Sequence, residues 1–338
     1  MGTRGALRQP EPTITPSLAK EGRSASPLRW ILCAAAAAVA IAFDFRAGAA
    51  LVVGLVLGLA GANPSPKRLK ALQGRLLGVS VALMGAGLDF NAALAVGSRG
   101  VALTAGLLVA VFLFGWAAAR ALKLDRDEAL LVTAGTAICG GSAIAALSAV
   151  IKPKESAIAY ALAVVFLLNA VALVLLPPLG HLMGMSESQF GWWAALAIHD
   201  TSSVVGATMA YGSIALALGT TAKLARALWI VPVTAIVASR RRAPGGPGGS
   251  VRWSVPWFLP AFLVLSALFT MVPQLEPLQL PAVWIARRGI VLVLFLVGLS
   301  LDREIVGRFP PRLAAFGFLL WVFSLVASLG PAWVLGAR

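Results

Sequence analysis

From residue 28 to residue 335 the chain passes through eleven apolar segments, at about 28–43, 47–62, 71–88, 99–121, 129–150, 156–177, 190–208, 213–238, 256–272, 284–301 and 312–335, with few polar residues between them. A stretch of about 20 apolar residues is what an α-helix needs to cross the hydrocarbon core of a bilayer. Inside that core the backbone N–H and C=O groups have no water to bind and must pair within the segment. The pattern therefore predicts an all-α polytopic membrane protein of about 11 transmembrane helices. Of the 338 residues only 12% are charged, against about 25% in water-soluble domains, and the length leaves no room for a soluble catalytic domain.

The 28 Lys and Arg residues outnumber the 13 Asp and Glu and give a net charge of +15. In so apolar a chain this excess is a topology signal and not a nucleic-acid footprint, because Lys and Arg accumulate in cytoplasmic loops. With the N-terminus inside, 19 of the 28 basic residues fall in the cytoplasm, seven outside and two within a span, which places the C-terminus outside. Residues 1–27, rich in Gly, Pro, Ser and Thr without periodicity, read as a disordered cytoplasmic tail. An alternative is a signal peptide, with Trp30–Phe43 as its apolar core. Residues 28–338 form the transmembrane domain, interrupted by a cytoplasmic linker at 239–255 that contains Arg240, Arg241, Arg242 and a Gly- and Pro-rich run. Two Cys and two His supply neither a disulfide framework nor a zinc site, so no metal and no cofactor is expected. The chain has no G-x-x-x-x-G-K-[ST] loop, which leaves ion coupling, by protons or sodium, as the energy source for any transport.

Polar groups at membrane depth must be offset by partners or by a use. Two segments carry them. Thr133–Ser142 contains Thr136, Gly140, Gly141 and Ser142 in the middle of the fifth apolar segment. The Gly pair beside two hydroxyls predicts a discontinuous helix, whose freed N–H groups and positive half-dipole suit an anion. Ala197–Ala207 contains His199, Asp200, Thr201, Ser202 and Ser203 in five consecutive positions. The two segments align at a spacing of 60 through Ala137/Ala197, Ile138/Ile198 and Ser142/Ser202. If both cross the membrane they run in the same direction, so either the repeat is an illusion or one segment is re-entrant. A second internal match, Arg75–Asp89 on Arg288–Asp302, joins segments of opposite direction, as an inverted repeat requires.

The eighth segment places Lys223 and Arg226 on one helical face near its centre. Against Asp200 they leave one net positive charge at membrane depth, which asks for an anion. A static Asp200–Arg226 ion pair is the alternative. Asn169 in the sixth segment reads as an interhelical hydrogen-bonding residue, Cys139 as a packing residue, and His181 as an exposed loop residue.

GTAICGGSAIAA at 135–146, AIHDTSSVVGA at 197–207 and K-x-x-R followed by LWIVP at 223–232 resemble the YeiH family of bacterial inner-membrane proteins, assigned to sulfate export. The resemblance covers about residues 28–338 and implies a multi-span secondary transporter with crossed discontinuous helices in the bacterial inner membrane, with sulfate or a related sulfur oxyanion as substrate. The expected substrate-binding residues are Lys223, Arg226, Thr136, Gly140, Gly141, Ser142, Thr201, Ser202 and Ser203, with His199 and Asp200 coupling transport to protons; sodium at unwound carbonyls is the competing mode. The expected partners are a small anion, the lipid bilayer and a second copy of the chain in a homo-oligomer. Rival readings are an anion channel, a sodium-coupled organic-anion symporter, and an intramembrane enzyme using His199, Asp200 and Ser202 or Ser203.

Overall fold

The computed structural model describes residues 35, 47–63, 66–241, 257–300 and 310–336. The tail at 1–27, the first apolar segment apart from residue 35, and most of the 239–255 linker lie outside these residues. The described residues form α-helices joined by short turns, with no strand among them. In chain order they are α1 (Ala47–Leu59), α2 (Pro66–Met84), α3 (Phe90–Ala121), α4 (Arg126–Ala137), α5 (Gly141–Ile151), α6 (Glu155–Leu182), α7 (Glu187–Ala197), α8 (Thr201–Tyr211), α9 (Ser213–Ala227), α10 (Ile230–Arg241), α11 (Phe258–Met271), α12 (Glu276–Leu299) and α13 (Pro311–Gly336). Among the described residues five stretches are long and apolar enough to cross a membrane: Phe90–Ala121, Glu155–Leu182, Ser213–Arg240, Pro273–Leu299 and Pro311–Gly336. Large apolar side chains such as Leu113, Trp116, Val326 and Val334 are exposed on the outside of the bundle, where lipid is their natural solvent. Arg120 lies over the Trp116 ring and Arg288 over Trp284, each 5.3 Å from the centroid, the amphipathic pairing expected where a helix leaves hydrocarbon.

The segments at 129–150 and 190–208 are both broken, and both reverse. A β-carbon built on Gly135 of α4 would lie 3.0 Å from Cδ1 of Ile144 in α5, so residues equidistant from the break at 138–140 touch across it. A straight continuation would hold them about 13 Å apart. At the open end of this hairpin, Lys154 is close enough to Glu128 to act on its charge. The second hairpin closes in the same way. Tyr211 at the end of α8 donates its hydroxyl to the carbonyl of Met185 before α7 (2.6 Å), and its ring stacks on Phe190 with centroids 3.8 Å apart. Glu187 in the first turn of α7 accepts from the backbone N–H of Ile214 (2.7 Å) and Ala215 (3.3 Å), capping the start of α9.

Helix α6, 28 residues and about 42 Å long, sets the relation between the hairpins. The first opens beside its N-terminus, through Lys154. The second opens beside its C-terminus, where the His181 ring stacks on Tyr211 at 4.2 Å. The hairpins therefore enter from opposite ends, and their tips meet near Asn169 in the middle of α6.

Helices α1, α2 and α12 enclose a separate small core of Ala50, Leu69, Val291, Phe295, Leu296 and Leu299. Here α1 and α12 cross backbone to backbone: a β-carbon on Gly54 would collide with the carbonyl of Phe295, and one on Gly298 with that of Leu51. Gly85, which matches Gly298 in the sequence alignment, makes the corresponding contact with the backbone of Phe262 in α11.

Candidate functional site

The tips are built from residues that suspend helical geometry. At the first tip Gly140 has φ +64° and ψ −126°, a conformation closed to L side chains, and it lets the chain turn back within three residues. At the second, Ile198 leaves α7 extended and Asp200 caps α8, accepting from the backbone N–H of Ser202 (3.0 Å) and, over a shorter contact, from its hydroxyl. The tips touch, since a β-carbon on Gly140 would lie 3.4 Å from Cβ of Asp200. Asn169 fixes the second tip from the side, its Oδ1 accepting from the N–H of His199 (3.0 Å) and of Asp200 (3.2 Å).

Lys223 and Arg226 reach this joint from α9 and are fully buried. The Lys223 ammonium donates to the carbonyls of Ile138 (3.2 Å) and Ile198 (2.6 Å), one from each hairpin. Arg226 donates through Nε to Ala137 (2.8 Å), through Nη2 to Thr136 (2.6 Å), and through Nη1 to Ala195 (3.2 Å) and Leu196 (2.6 Å). These carbonyls are the unsatisfied C-terminal groups of α4 and α7, the negative ends of two half-helices. Most of the donors of the two cations are thus spent on carbonyls, while their charge is not neutralised by those neutral partners. Nor does Arg226 pair with Asp200, whose carboxylate is used by Ser202.

A charge balance locates what is left. The two cations and one carboxylate sum to about +1. Two helix C-termini and two N-termini contribute about half a charge each with opposite signs and cancel. Of the two N-termini, α8 is capped by Asp200, whereas α5 has no side-chain cap. At that uncapped end Gly141 is half-buried and Ser142 exposed, while Thr136, Gly140, Thr201, Ser202 and Ser203 are buried. The open, positive surface of the joint is therefore the start of α5.

His199 is fully buried, and both its ring nitrogens lack a hydrogen-bond partner. The Ser202 hydroxyl is turned to Asp200, and neither Ser202 nor Ser203 hydrogen-bonds a ring nitrogen of His199. The broken-helix carbonyls of Thr136, Ala137, Ile138, Ala195, Leu196 and Ile198 accept from ammonium or guanidinium. Among the described residues no cluster of three His, Cys, Asp or Glu side chains could hold a metal. Cys139 is buried at the first tip. His181 is exposed, as expected, but it lies in the last turn of α6 and not in a loop, since the helix runs on through Pro177 and Pro178, and its ring stacks on Tyr211. Two participants were under-read from sequence. Asn169 organises the second tip instead of merely linking helices, and Thr220 is a buried, unpartnered hydroxyl one turn before Lys223, a position its i−3 spacing could have revealed.

Comparison with known proteins places this geometry in a family context. Residues 30–307 match the family model described as conserved hypothetical protein 698. The UPF0324 membrane protein Bd1437 of Bdellovibrio bacteriovorus is 42% identical over 316 residues, covering 92% of this chain and 94% of the relative. The UPF0324 membrane protein VV1_3166 of Vibrio vulnificus is 40% identical, covering 86% and 92%. GSU2818 of Geobacter sulfurreducens, with the same description, is 41% identical, covering 83% and 88%. No solved structure matches.

Proposed function

The chain belongs to the conserved hypothetical protein 698 family of UPF0324 membrane proteins, and from that premise we propose that it is a secondary transporter exporting a small anion, a sulfate-like sulfur oxyanion, across the bacterial inner membrane. The observation that carries this reading is the joint itself: two hairpins from opposite ends meet around two buried cations, with an uncapped, exposed helix N-terminus as the remaining positive surface. Broken helices meeting at membrane depth are the means by which secondary carriers bind a solute equally from either side. Gly141 and Ser142 offer it backbone N–H groups and a hydroxyl, and an oxyanion at neutral pH offers acceptors only. His199 and Asp200, next to that position, are the proton-coupling groups.

The hairpins also revise the topology. Subtracting them from eleven apolar segments leaves nine crossings, an odd number that keeps the termini on opposite faces, and the bias of basic residues supports a cytoplasmic N-terminus. Helix α6 now runs outward and the first hairpin opens to the cytoplasm. Lys152 and Lys154 move inside, raising the cytoplasmic share to 21 of 28 basic residues. Hairpins of opposite orientation are what an inverted repeat requires at the 137/197 match.

The test is flux of labelled sulfate in proteoliposomes with and without a pH gradient. Saturable uptake that accumulates against a sulfate gradient when a pH gradient is imposed supports the reading. Non-saturating, strictly downhill flux identifies a channel, and flux driven by sodium but not by pH moves coupling away from His199 and Asp200.

A further inference from the structure

Buried polar atoms nearly always have a hydrogen-bond partner, and those without one call for an explanation. Among the described residues seven such side-chain atoms occur: Trp321 Nε1 and Ser324 Oγ lie on α13, and the other five are the hydroxyl of Thr136, Nδ2 of Asn169, both ring nitrogens of His199 and the hydroxyl of Thr220, in side chains each at least 98% buried. These five belong to residues that bond the cations, bond the second tip or lie in it, or share a helix with the cations. Thr136 shares the Arg226 guanidinium through its carbonyl, Asn169 is bonded to the backbone of His199, and Thr220 precedes Lys223 by one turn of α9.

The chemistry of this set is one-sided. An ammonium has three N–H donors and a guanidinium five; Lys223 uses two and Arg226 four on carbonyls. One N–H remains on each. Asn169 keeps both hydrogens of its amide, because its oxygen is committed to the tip N–H groups. A neutral His199 adds one donor and one acceptor, and the threonine hydroxyls can turn either way. Donors thus outnumber obligate acceptors about five to one. A water molecule accepts only about two hydrogen bonds, whereas a tetrahedral oxyanion presents lone pairs on four oxygens.

We propose that the joint contains a second, occluded anion position, distinct from the exposed start of α5, in which Asn169, Thr136, His199 and Thr220 donate to a desolvated oxyanion beside Lys223 and Arg226. It deepens the carrier reading and rests on it. The outer position captures the anion at Gly141 and Ser142, and the inner one holds it out of contact with water between the two hairpin tips. Asn169 is its specificity-determining residue, because it supplies two donors that no other group competes for.

Asn169→Asp isolates this role. The substituted carboxylate still accepts from the N–H groups of His199 and Asp200, but it replaces both donors with an oxygen. Thr136→Val is isosteric and removes only the hydroxyl. The purified full chain is titrated with sodium sulfate at constant ionic strength, with sodium chloride as control, and binding is read from the shift in melting temperature and from tryptophan fluorescence. The expected result is a tenfold or greater rise in half-saturating sulfate for both variants, with ligand-free melting temperatures within a few degrees of wild type. Should Asn169→Asp not fold, Thr136→Val decides. Wild-type affinity in the folded variants overturns the inner position, as does a wild-type protein that binds no sulfate. Sulfate binding that depends on both residues in a protein that moves no sulfate leaves the site standing and removes the carrier reading. Sulfate flux with affinity indifferent to both residues does the reverse.

Discussion

Replacing Arg226 by Met removes four hydrogen bonds to carbonyls at the ends of α4 and α7, whereas replacing Lys223 by Met removes two. Hydrogen bonds to charged groups contribute about 1.5–3 kcal/mol each, so the gross loss is about 6–12 kcal/mol at Arg226 and about 3–6 kcal/mol at Lys223. Each substitution also relieves the burial of a charge at membrane depth, about 2.5–3.5 kcal/mol on insertion scales. The net destabilisation is then about 3–9 kcal/mol for Arg226→Met and about 0–3 kcal/mol for Lys223→Met. Arg226→Lys keeps the charge but loses the planar fork, and falls between wild type and Arg226→Met. The assay is unfolding of the purified protein followed by tryptophan fluorescence; buried Trp192 and Trp193 lie on α7 close to the carbonyls that Arg226 holds. An Arg226→Met protein as stable as wild type, or a Lys223→Met protein less stable than Arg226→Met, would refute the assignment of these cations as staples of the hairpin tips.

In a background lacking Cys33 and Cys139, Arg126→Cys and Lys154→Cys react with a membrane-impermeant thiol reagent from the cytoplasmic side, and Met183→Cys and Ser213→Cys from the periplasmic side; straight spans would split each pair. Gly140→Ala forces a side chain into a left-handed backbone conformation and costs about 1–3 kcal/mol, measurable as a lower melting temperature. The same substitution should depress sulfate flux more than Ser142→Ala, because it displaces the whole tip and not one hydroxyl. Tyr211→Phe loses the hydrogen bond to Met185 at the mouth of the second hairpin, about 0.5–1.5 kcal/mol, and is expected to raise amide hydrogen exchange in α8 before it lowers global stability.

Hydropathy located the apolar stretches, and the polar runs inside them marked the breaks at Gly140 and Asp200. What happens after each break was not legible. A three-residue interruption such as Ile138–Gly140 serves a kinked span and a reversal equally well, and the contacts that decide, Gly135 with Ile144 and Tyr211 with Met185, join residues whose local sequence is unremarkable. The match at a spacing of 60 carried the answer in a form that conflicted with straight spans, and the conflict vanishes once the hairpins open to opposite ends. The cations were visible as an excess of charge, but their acceptors were not, because backbone carbonyls leave no trace in a sequence. In the proposed carrier, those acceptors bear on how access would alternate. Lys223 and Arg226 each bond both hairpins, so parting the tips breaks charge-assisted hydrogen bonds worth about 1.5–3 kcal/mol apiece. Among the described residues, the boundary between α3 and α9 on one side and α11 on the other has no charge-assisted tie of this kind, only the neutral bond from the backbone N–H of Phe90 to the Thr270 hydroxyl (3.0 Å), and its 450 Å³ crevice is lined by Leu94, Val101, Leu224, Leu228 and Leu263. Apolar side chains exchange neighbours or lipid at small cost. The cheaper motion therefore keeps the joined tips and α9 as one body and slides it past the helices packed on α11 and α12, carrying the site with it.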